Sequence, residues 1–196
     1  EFDVDARTWV TDGFVLPENK SRIDWIDHDT IWVGTDFGEQ PDGHGAMTSS
    51  GYARVTKRWT RGTPLDDAIT VFTGDPGDVA VSASHDSTPG FERDYVMRST
   101  DFYNTITYEL VDSALVEIEV PTDSRFSVFR NWLLVLTRSP WTVSSPTVSA
   151  PAAGDITYDA DTLLVFDYDD YLAGGRDHTV LFSPDAHTSL EKSAFT

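Results

Sequence analysis

The chain has 196 residues, no cysteine, 39% hydrophobic and 12% aromatic residues, and a formal net charge of −19 at pH 7. This aromatic content is typical of a folded domain and not of a disordered segment. The negative charge argues against binding to nucleic acid or to anionic membranes, since both repel an acidic surface. Without cysteine there is no disulfide and no thiolate site, and we predict no cofactor. The sequence shows no signal-peptide pattern or membrane-length apolar run, so we expect a cytoplasmic protein.

Short segments rich in β-branched and aromatic residues, bounded by turn residues, recur along the whole chain and predict strands. They form three groups of four, at about 22–73, 79–120 and 125–182. Four-stranded repeats at this spacing are typical of β-propeller blades, with a β-sandwich as the alternative. Segments 8–16 and 189–196 lie outside the groups and are interpreted as strands of flanking blades. We therefore predict an all-β fold, a partial β-propeller with about three four-stranded antiparallel blades plus strands of flanking blades.

The second strands of the first two predicted blades end alike, with Gly34-Thr35-Asp36-Phe37 and Ser99-Thr100-Asp101-Phe102, and both strands are predicted to run to the phenylalanine. A helical turn is predicted at 63–67, where Thr63 suits the N-cap and Pro64 the first helical position. A second is predicted at 169–172. Two long connections, 38–52 and 139–161, separate strands within the first and third blades.

Histidines and acidic clusters are weak candidates for catalytic or metal sites. None of the five histidines has a partner at ligand spacing, and all five are interpreted as surface residues. Examples are the pairs Asp75/Asp78 and Asp159/Asp161 and the triplet Asp167/Asp169/Asp170. None fits the pattern of a calcium loop, and with 33 acidic residues such proximity is expected by chance. We predict no metal site.

Several motifs, in order and spread over most of the chain, resemble the propeller of bacterial prolyl oligopeptidases (prolyl endopeptidases). They are Gly34-Thr35-Asp36-Phe37-Gly38 and the segments 12–18, 20–25, 50–59, 61–65, 88–94 and 172–177. The resemblance implies a two-domain serine peptidase that cleaves short peptides after proline. In such an enzyme an α/β-hydrolase domain carries a Ser-Asp-His triad, and the N-terminal β-propeller domain restricts entry to the active site.

The catalytic residues of such an enzyme are not expected in this chain. A nucleophile elbow needs Gly-x-Ser-x-Gly, and none of the 13 glycines has a serine two positions later. We therefore interpret residues 1–196 as a fragment of the propeller domain that is inactive by itself. Its expected partners are the C-terminal α/β-hydrolase domain of the same protein and short proline-containing peptides.

The resemblance implies two groups of functional residues. Arg98, with Phe102 nearby, is predicted to bind substrate, because the family has an arginine at about this place that holds peptide carbonyl groups. The alternative for Arg98 is an ion pair with a neighbouring aspartate. The connection 38–52 is predicted to be a mobile gating loop, and its candidate residues are Gly38, Asp42, Gly43, Gly45, Ser49 and Gly51.

Two other functional classes stay open. One is a stand-alone propeller that binds a protein or a glycan, and the other is a propeller glycosidase that uses a pair of carboxylates. An incomplete propeller exposes unpaired strand edges, so we also expect this fragment to associate with itself through those edges.

Overall fold

The computed structural model describes residues 1–144 and 155–190 and is all-β apart from two short helical turns. The chain divides into two compact units, Glu1–Leu115 and Val116–Thr196. The three four-stranded antiparallel sheets confirm the predicted fold class. Within the described ranges, no helix has the length and apolar composition needed to cross a membrane.

The first unit begins with a small ribbon and continues with two sheets whose strands are adjacent in chain order. The ribbon pairs β1 (Phe2–Asp3) with β2 (Thr8–Trp9). The first sheet contains β3 (Arg22–Asp27), β4 (Thr30–Gly34), β5 (Val55–Thr60) and β6 (Ile69–Thr73). The second sheet contains β7 (Ala80–Asp86), β8 (Arg93–Ser99), β9 (Thr105–Val111) and β10 (Ala114–Glu117).

Strand β4 is buried on both faces, which explains its continuous apolar run Ile31-Trp32-Val33. Because side chains alternate along a strand, Ile31 and Val33 share one face and pack in a cluster with Phe14 and Trp59. Trp32 projects from the other face and packs against Val81 of β7 in a second cluster. This second cluster joins the two sheets of the first unit.

The second unit contains the third sheet, a two-stranded ribbon and one turn of α-helix. The sheet contains β11 (Arg125–Phe129), β12 (Trp132–Leu136), β15 (Leu163–Asp167) and β16 (His178–Phe182). Between β12 and β15 the ribbon pairs β13 (Trp141–Val143) with β14 (Ile156–Tyr158). The apolar side chains of β12 and β15 form the core, with Leu133, Val135 and Leu164 fully buried.

Four local predictions need correction. The strands predicted to reach Phe37 and Phe102 end at Gly34 and Ser99. In both, the following aspartate turns the chain: Asp36 accepts a hydrogen bond from the backbone N–H of Gly38 at 2.9 Å, and Asp101 from that of Tyr103 at 2.7 Å. Near the N-terminus, the strand predicted over 8–16 is limited to the residues of the β1–β2 ribbon. Phe14 lies outside any strand and packs in the core.

The fourth correction concerns the helical turns. A 3-10 turn covers Leu65–Asp67, but Thr63 is not its cap, because its hydroxyl donates back to the carbonyl of Thr60 at 2.7 Å. Helix α1 (Tyr168–Leu172) starts one residue earlier than predicted, with Asp167 as its N-cap. Residues 145–154, the inner part of the long connection 139–161, and most of the segment 189–196 lie outside the described residues.

Candidate functional site

The candidate gating loop is built around a buried arginine. Arg54, which directly precedes β5, has a fully buried side chain. Its guanidinium donates to the carbonyl of Gly45 at 2.6 Å, to that of Gly74 at 2.8 Å and to the carboxylate of Asp42 at 2.7 Å. The hydrogen bonds from Arg54 hold the pKa of Asp42 below its usual 3.8. Burying a guanidinium requires such partners, so this loop conformation is tied to the core.

The predicted glycines of the loop contribute mainly through their backbone. The N–H of Gly43 donates to Gln40 and that of Gly51 to Thr48, both at 2.9 Å, while the carbonyl of Gly38 accepts from Ala46. Gly38, Gly43 and Gly51 all have positive φ between 72° and 79°, which favours glycine. Arg54 and these turns hold the loop in one conformation in the structure, and its mobility stays a prediction.

The loop is also joined to the turn between β6 and β7, defined here as residues 74–79. The backbone N–H of Ser49 donates to the carbonyl of Pro76 at 2.8 Å, and the hydroxyl of Thr48 donates to that of Val79 at 2.9 Å. Arg54 reaches the same turn through Gly74. The loop and the 74–79 turn are therefore one hydrogen-bonded assembly.

Arg98 of β8 contacts this assembly through two carboxylates. Its Nε donates to Oδ2 of Asp78 at 2.8 Å, and its Nη2 contacts both Asp75 and Asp78. The hydrogen bond with Asp78 raises the pKa of Arg98, so the guanidinium stays charged. These contacts are the ion pair that the sequence left as the alternative for Arg98. Nη1 of Arg98 has no hydrogen-bond partner within the described part of the chain, so a donor is left for another molecule.

Phe102 lies at the tip of the β8–β9 connection with most of its side chain in solvent. Phe102 is 84% exposed and Tyr103 83%. The tip is held by Asp101, whose carboxylate accepts from the backbone N–H of Tyr103 and from both the backbone and the side-chain amide of Asn104. A firmly held turn thus presents two exposed aromatic rings.

The structure brings most of the predicted site residues into one network and adds residues that the sequence did not single out. Asp42, Gly45 and Ser49 connect through Arg54 and the 74–79 turn to Arg98. The sequence analysis missed the role of Arg54. A usable signal was present, because a charged residue between two apolar residues, Ala53 and Val55, at the start of a predicted strand needs partners if it is buried.

Members of two of the acid clusters, and two histidines, make structural contacts. Asp75 and Asp78 bind Arg98, and Asp167 caps helix α1. The surface interpretation is wrong for His85, whose side chain is only 12% exposed and whose Nδ1 lies 2.9 Å from Asp94. It is also wrong for His178, which is half-buried and hydrogen-bonded to the hydroxyl of Tyr158 at 2.6 Å.

This chain and its architecture are similar to parts of known proteins. No family model matches the chain. The chain is 34% identical over 204 residues to the uncharacterized peptidase y4nA of Sinorhizobium fredii (strain NBRC 101917 / NGR234), covering 97% of this chain and 26% of that protein. It is also similar to the structure of a post-proline cleaving enzyme from Rickettsia typhi, with a TM-score of 0.75 and 24% identity. That likeness covers 94% of this chain and 27% of the other.

The chain therefore spans about a quarter of the length of each of these two relatives. The resemblance to prolyl oligopeptidases that was inferred from sequence is confirmed, as is the partial-propeller fold.

Proposed function

We propose that this chain is the propeller portion of a serine peptidase that cleaves short peptides after proline, and that it gates and helps to bind the substrate. The observation that carries the proposal is the network that links the 38–52 loop, through the 74–79 turn, to Arg98. The similarity to two larger peptidases supports it. In this proposal a C-terminal α/β-hydrolase domain of the same protein supplies the catalytic triad. A cytoplasmic location is proposed on composition alone, since the chain has no cysteine.

Arg98 is proposed to bind a peptide carbonyl through its remaining donor. The carboxylates of Asp75 and Asp78 hold the guanidinium at Nε and Nη2, which leaves Nη1 to donate. A guanidinium fixed by two carboxylates loses little side-chain entropy when it binds substrate. The side chain of Arg98 is 24% exposed, which is enough for contact with a peptide.

The 38–52 loop is proposed to control access to the active site. Arg54 anchors the middle of the loop at Asp42 and Gly45, so the opening of the loop is limited, because opening fully would leave a buried guanidinium without these partners. The exposed ring of Phe102 offers an apolar surface to which a proline ring could bind. This chain binds and orients the peptide, whereas serine attack and proton transfer belong to the other domain.

The test is a chromogenic Gly-Pro amide assay on residues 1–196 and, in parallel, on the full product of the gene. We expect cleavage by the full product alone, blocked by a serine-reactive phosphonate. Cleavage by residues 1–196, or cleavage by the full product that resists the phosphonate, contradicts the proposal. No cleavage by either protein also contradicts it and favours the stand-alone binding propeller.

A further inference from the structure

The first unit has a cleft of about 530 Å³ beside the assembly of the 38–52 loop and the 74–79 turn, which contribute Tyr52 and Val79 to its lining. Its lining includes Lys20, Arg22, Tyr52, Val81 and Phe102, together with small residues of β7 and β8. We name it the cationic cleft. Its volume lies in the range of sites that bind small molecules and short peptide ends, roughly 300–1,000 Å³.

The charge of the cationic cleft is opposite to that of the chain. The chain carries 33 acidic residues against 14 lysines and arginines, yet the described lining contains two cations and no acidic residue. Among the described residues neither Lys20 nor Arg22 has a carboxylate partner. By contrast, Arg54, Arg61, Arg93, Arg98 and Arg176 each have a carboxylate partner. Two unpaired cations in one cleft favour an anionic ligand.

The backbone that carries both cations is fixed by strand pairing and by a neighbouring hydrogen bond. Arg22 is the first residue of β3 and pairs with Gly34 of β4. The hydroxyl of Ser21, between the two cations, lies 2.8 Å from that of Thr35. Nζ of Lys20 lies 4.7 Å from the centroid of the Tyr52 ring, an interaction that keeps the ammonium at the cleft.

The floor of the cleft is apolar and lies close to the cations. Ala53 is buried, as is Val81, and Val79 and Ala80 are half-buried. The exposed ring of Phe102 and the half-exposed ring of Tyr52 contribute to the walls. A ligand that satisfies both parts has a carboxylate attached directly to an apolar residue.

We propose that the cationic cleft binds the C-terminal carboxylate of a short peptide. A C-terminal carboxylate is one bond from its own Cα, so the side chain of the last residue can reach the apolar floor while the carboxylate meets Lys20 and Arg22. An aspartate or glutamate side chain instead places its carboxylate at the end of a flexible stem and carries no apolar group there. The proposal rests on the proposed peptidase function, because it assigns a position to the end of a short peptide substrate or product.

The experiment is isothermal titration calorimetry on residues 1–196 with three acetylated peptides. The first is Ala-Gly-Pro-Phe with a free C-terminus, and the second is the same peptide as its C-terminal amide. The third is Ala-Glu-Pro-Phe amide, which has the charge of the first with the carboxylate on a side chain. We expect the free acid to bind about five- to tenfold more tightly than either amide.

Two variants test the assignment to these side chains. In Lys20→Gln with Arg22→Gln, both exposed in the structure, the preference for the free acid is expected to disappear. The matched control is Arg125→Gln with Arg138→Gln, two exposed cations outside the cleft, and its preference is expected to stay within about twofold of the unmodified chain. Should the first variant fail to fold, the comparison of the three peptides on the unmodified chain still decides the proposal.

Equal binding of the free acid and the amides overturns the proposal, as does no binding of the free acid. Equal binding of the free acid and the glutamate amide assigns the cleft to side-chain carboxylates and also overturns it. If the control variant also loses the preference for the free acid, the preference is a general effect of charge, and the proposal is overturned. Cleavage of Gly-Pro amides is measured separately, so a preference for the free acid in a protein without that activity contradicts the proposed function alone.

Discussion

Nε of Arg54 lies 2.6 Å from the carbonyl oxygen of Gly45, which places a fully buried guanidinium inside the turn of the candidate gating loop. The same guanidinium donates to Gly74 at 2.8 Å, on the turn that leads into the second sheet. One side chain thus joins two connections that are remote in sequence. The loop is therefore a part of the core architecture and not an independent surface segment.

Replacing Arg54 with Met is expected to destabilise the chain by about 2–4 kcal/mol, because the buried carbonyl of Gly74 and the carbonyl of Gly45 lose their donor. The urea midpoint, followed by circular dichroism, measures the loss. Arg58→Met, an exposed position on β5, is the control and should change stability by less than about 0.5 kcal/mol. Equal midpoints for the two variants would show that the Arg54 contacts contribute nothing.

The carboxylate of Asp42 is expected to stabilise the fold only in its ionised form. The hydrogen bonds from Arg54 lower the pKa of Asp42 in the folded chain below 3.8, so its contribution is present above that pH and is lost as the pH falls through the folded value. Urea unfolding of the unmodified chain and of Asp42→Asn between about pH 3 and 7 measures it. The difference in unfolding free energy should be largest at pH 7 and shrink towards pH 3. A constant difference contradicts the assignment.

Under the proposed function, Arg98→Ala in the full product of the gene is expected to raise KM for longer peptides about tenfold with little change in kcat, since the proposed contact would be made equally in bound substrate and transition state. The control is Asp75→Asn, which keeps the guanidinium and its contact with the nearly buried Asp78. It should change KM by less than about threefold. An unchanged KM in Arg98→Ala would show that Arg98 makes a structural ion pair and does not bind substrate.

Trp32 is expected to be the residue that most strongly couples the first two sheets. Its side chain is 1% exposed, and its Nε1 donates to the carboxylate of Asp94 at 3.0 Å. Trp32→Phe removes this hydrogen bond and leaves a cavity, at a cost of about 2–3 kcal/mol in urea unfolding. Trp132→Phe, at a position 47% exposed, is the control and should cost less than about 1 kcal/mol.

Tyr171 is expected to titrate above the ordinary range of tyrosine. Burial raises its pKa to about 12, although the nearby Arg176 opposes the shift. Because the folded pKa exceeds the unfolded value of 10.0, the stability from the neutral phenol is present below pH 10 and is lost as the pH rises towards 12. Ultraviolet absorbance should show a late-titrating tyrosine that is missing from Tyr171→Phe. Identical titration curves for the two proteins contradict the assignment.

Strand content was readable from the sequence because alternation and turn residues are local signals. The run Ile31-Trp32-Val33 predicts a strand by itself, and the structure buries both of its faces. Strand ends were less readable. The strands predicted to reach Phe37 and Phe102 stop three residues earlier, because the side chains of Asp36 and Asp101 compete for backbone N–H groups that a strand would use.

The candidate site could be predicted only in part from the sequence. The resemblance indicated Arg98 and the 38–52 loop. An ion pair with a neighbouring aspartate was the alternative for Arg98. The sequence could not indicate that Asp75 and Asp78 would be its partners, since they are 23 and 20 residues away and meet it only when the 74–79 turn lies beside β8.

The sequence by itself determined the fold class and the number of four-stranded groups, because both depend on patterns that repeat along the chain, and its motifs showed the resemblance to prolyl oligopeptidases. The tertiary structure decided which charges are neutralised and which stay available. Arg54, Arg98 and Arg22 look alike in sequence, yet one is buried among carbonyl groups, one is held by two carboxylates and one faces an open cleft. The physical reason is that the partner of a charged side chain depends on how strands that are distant in sequence pack together. No local sequence pattern encodes that packing.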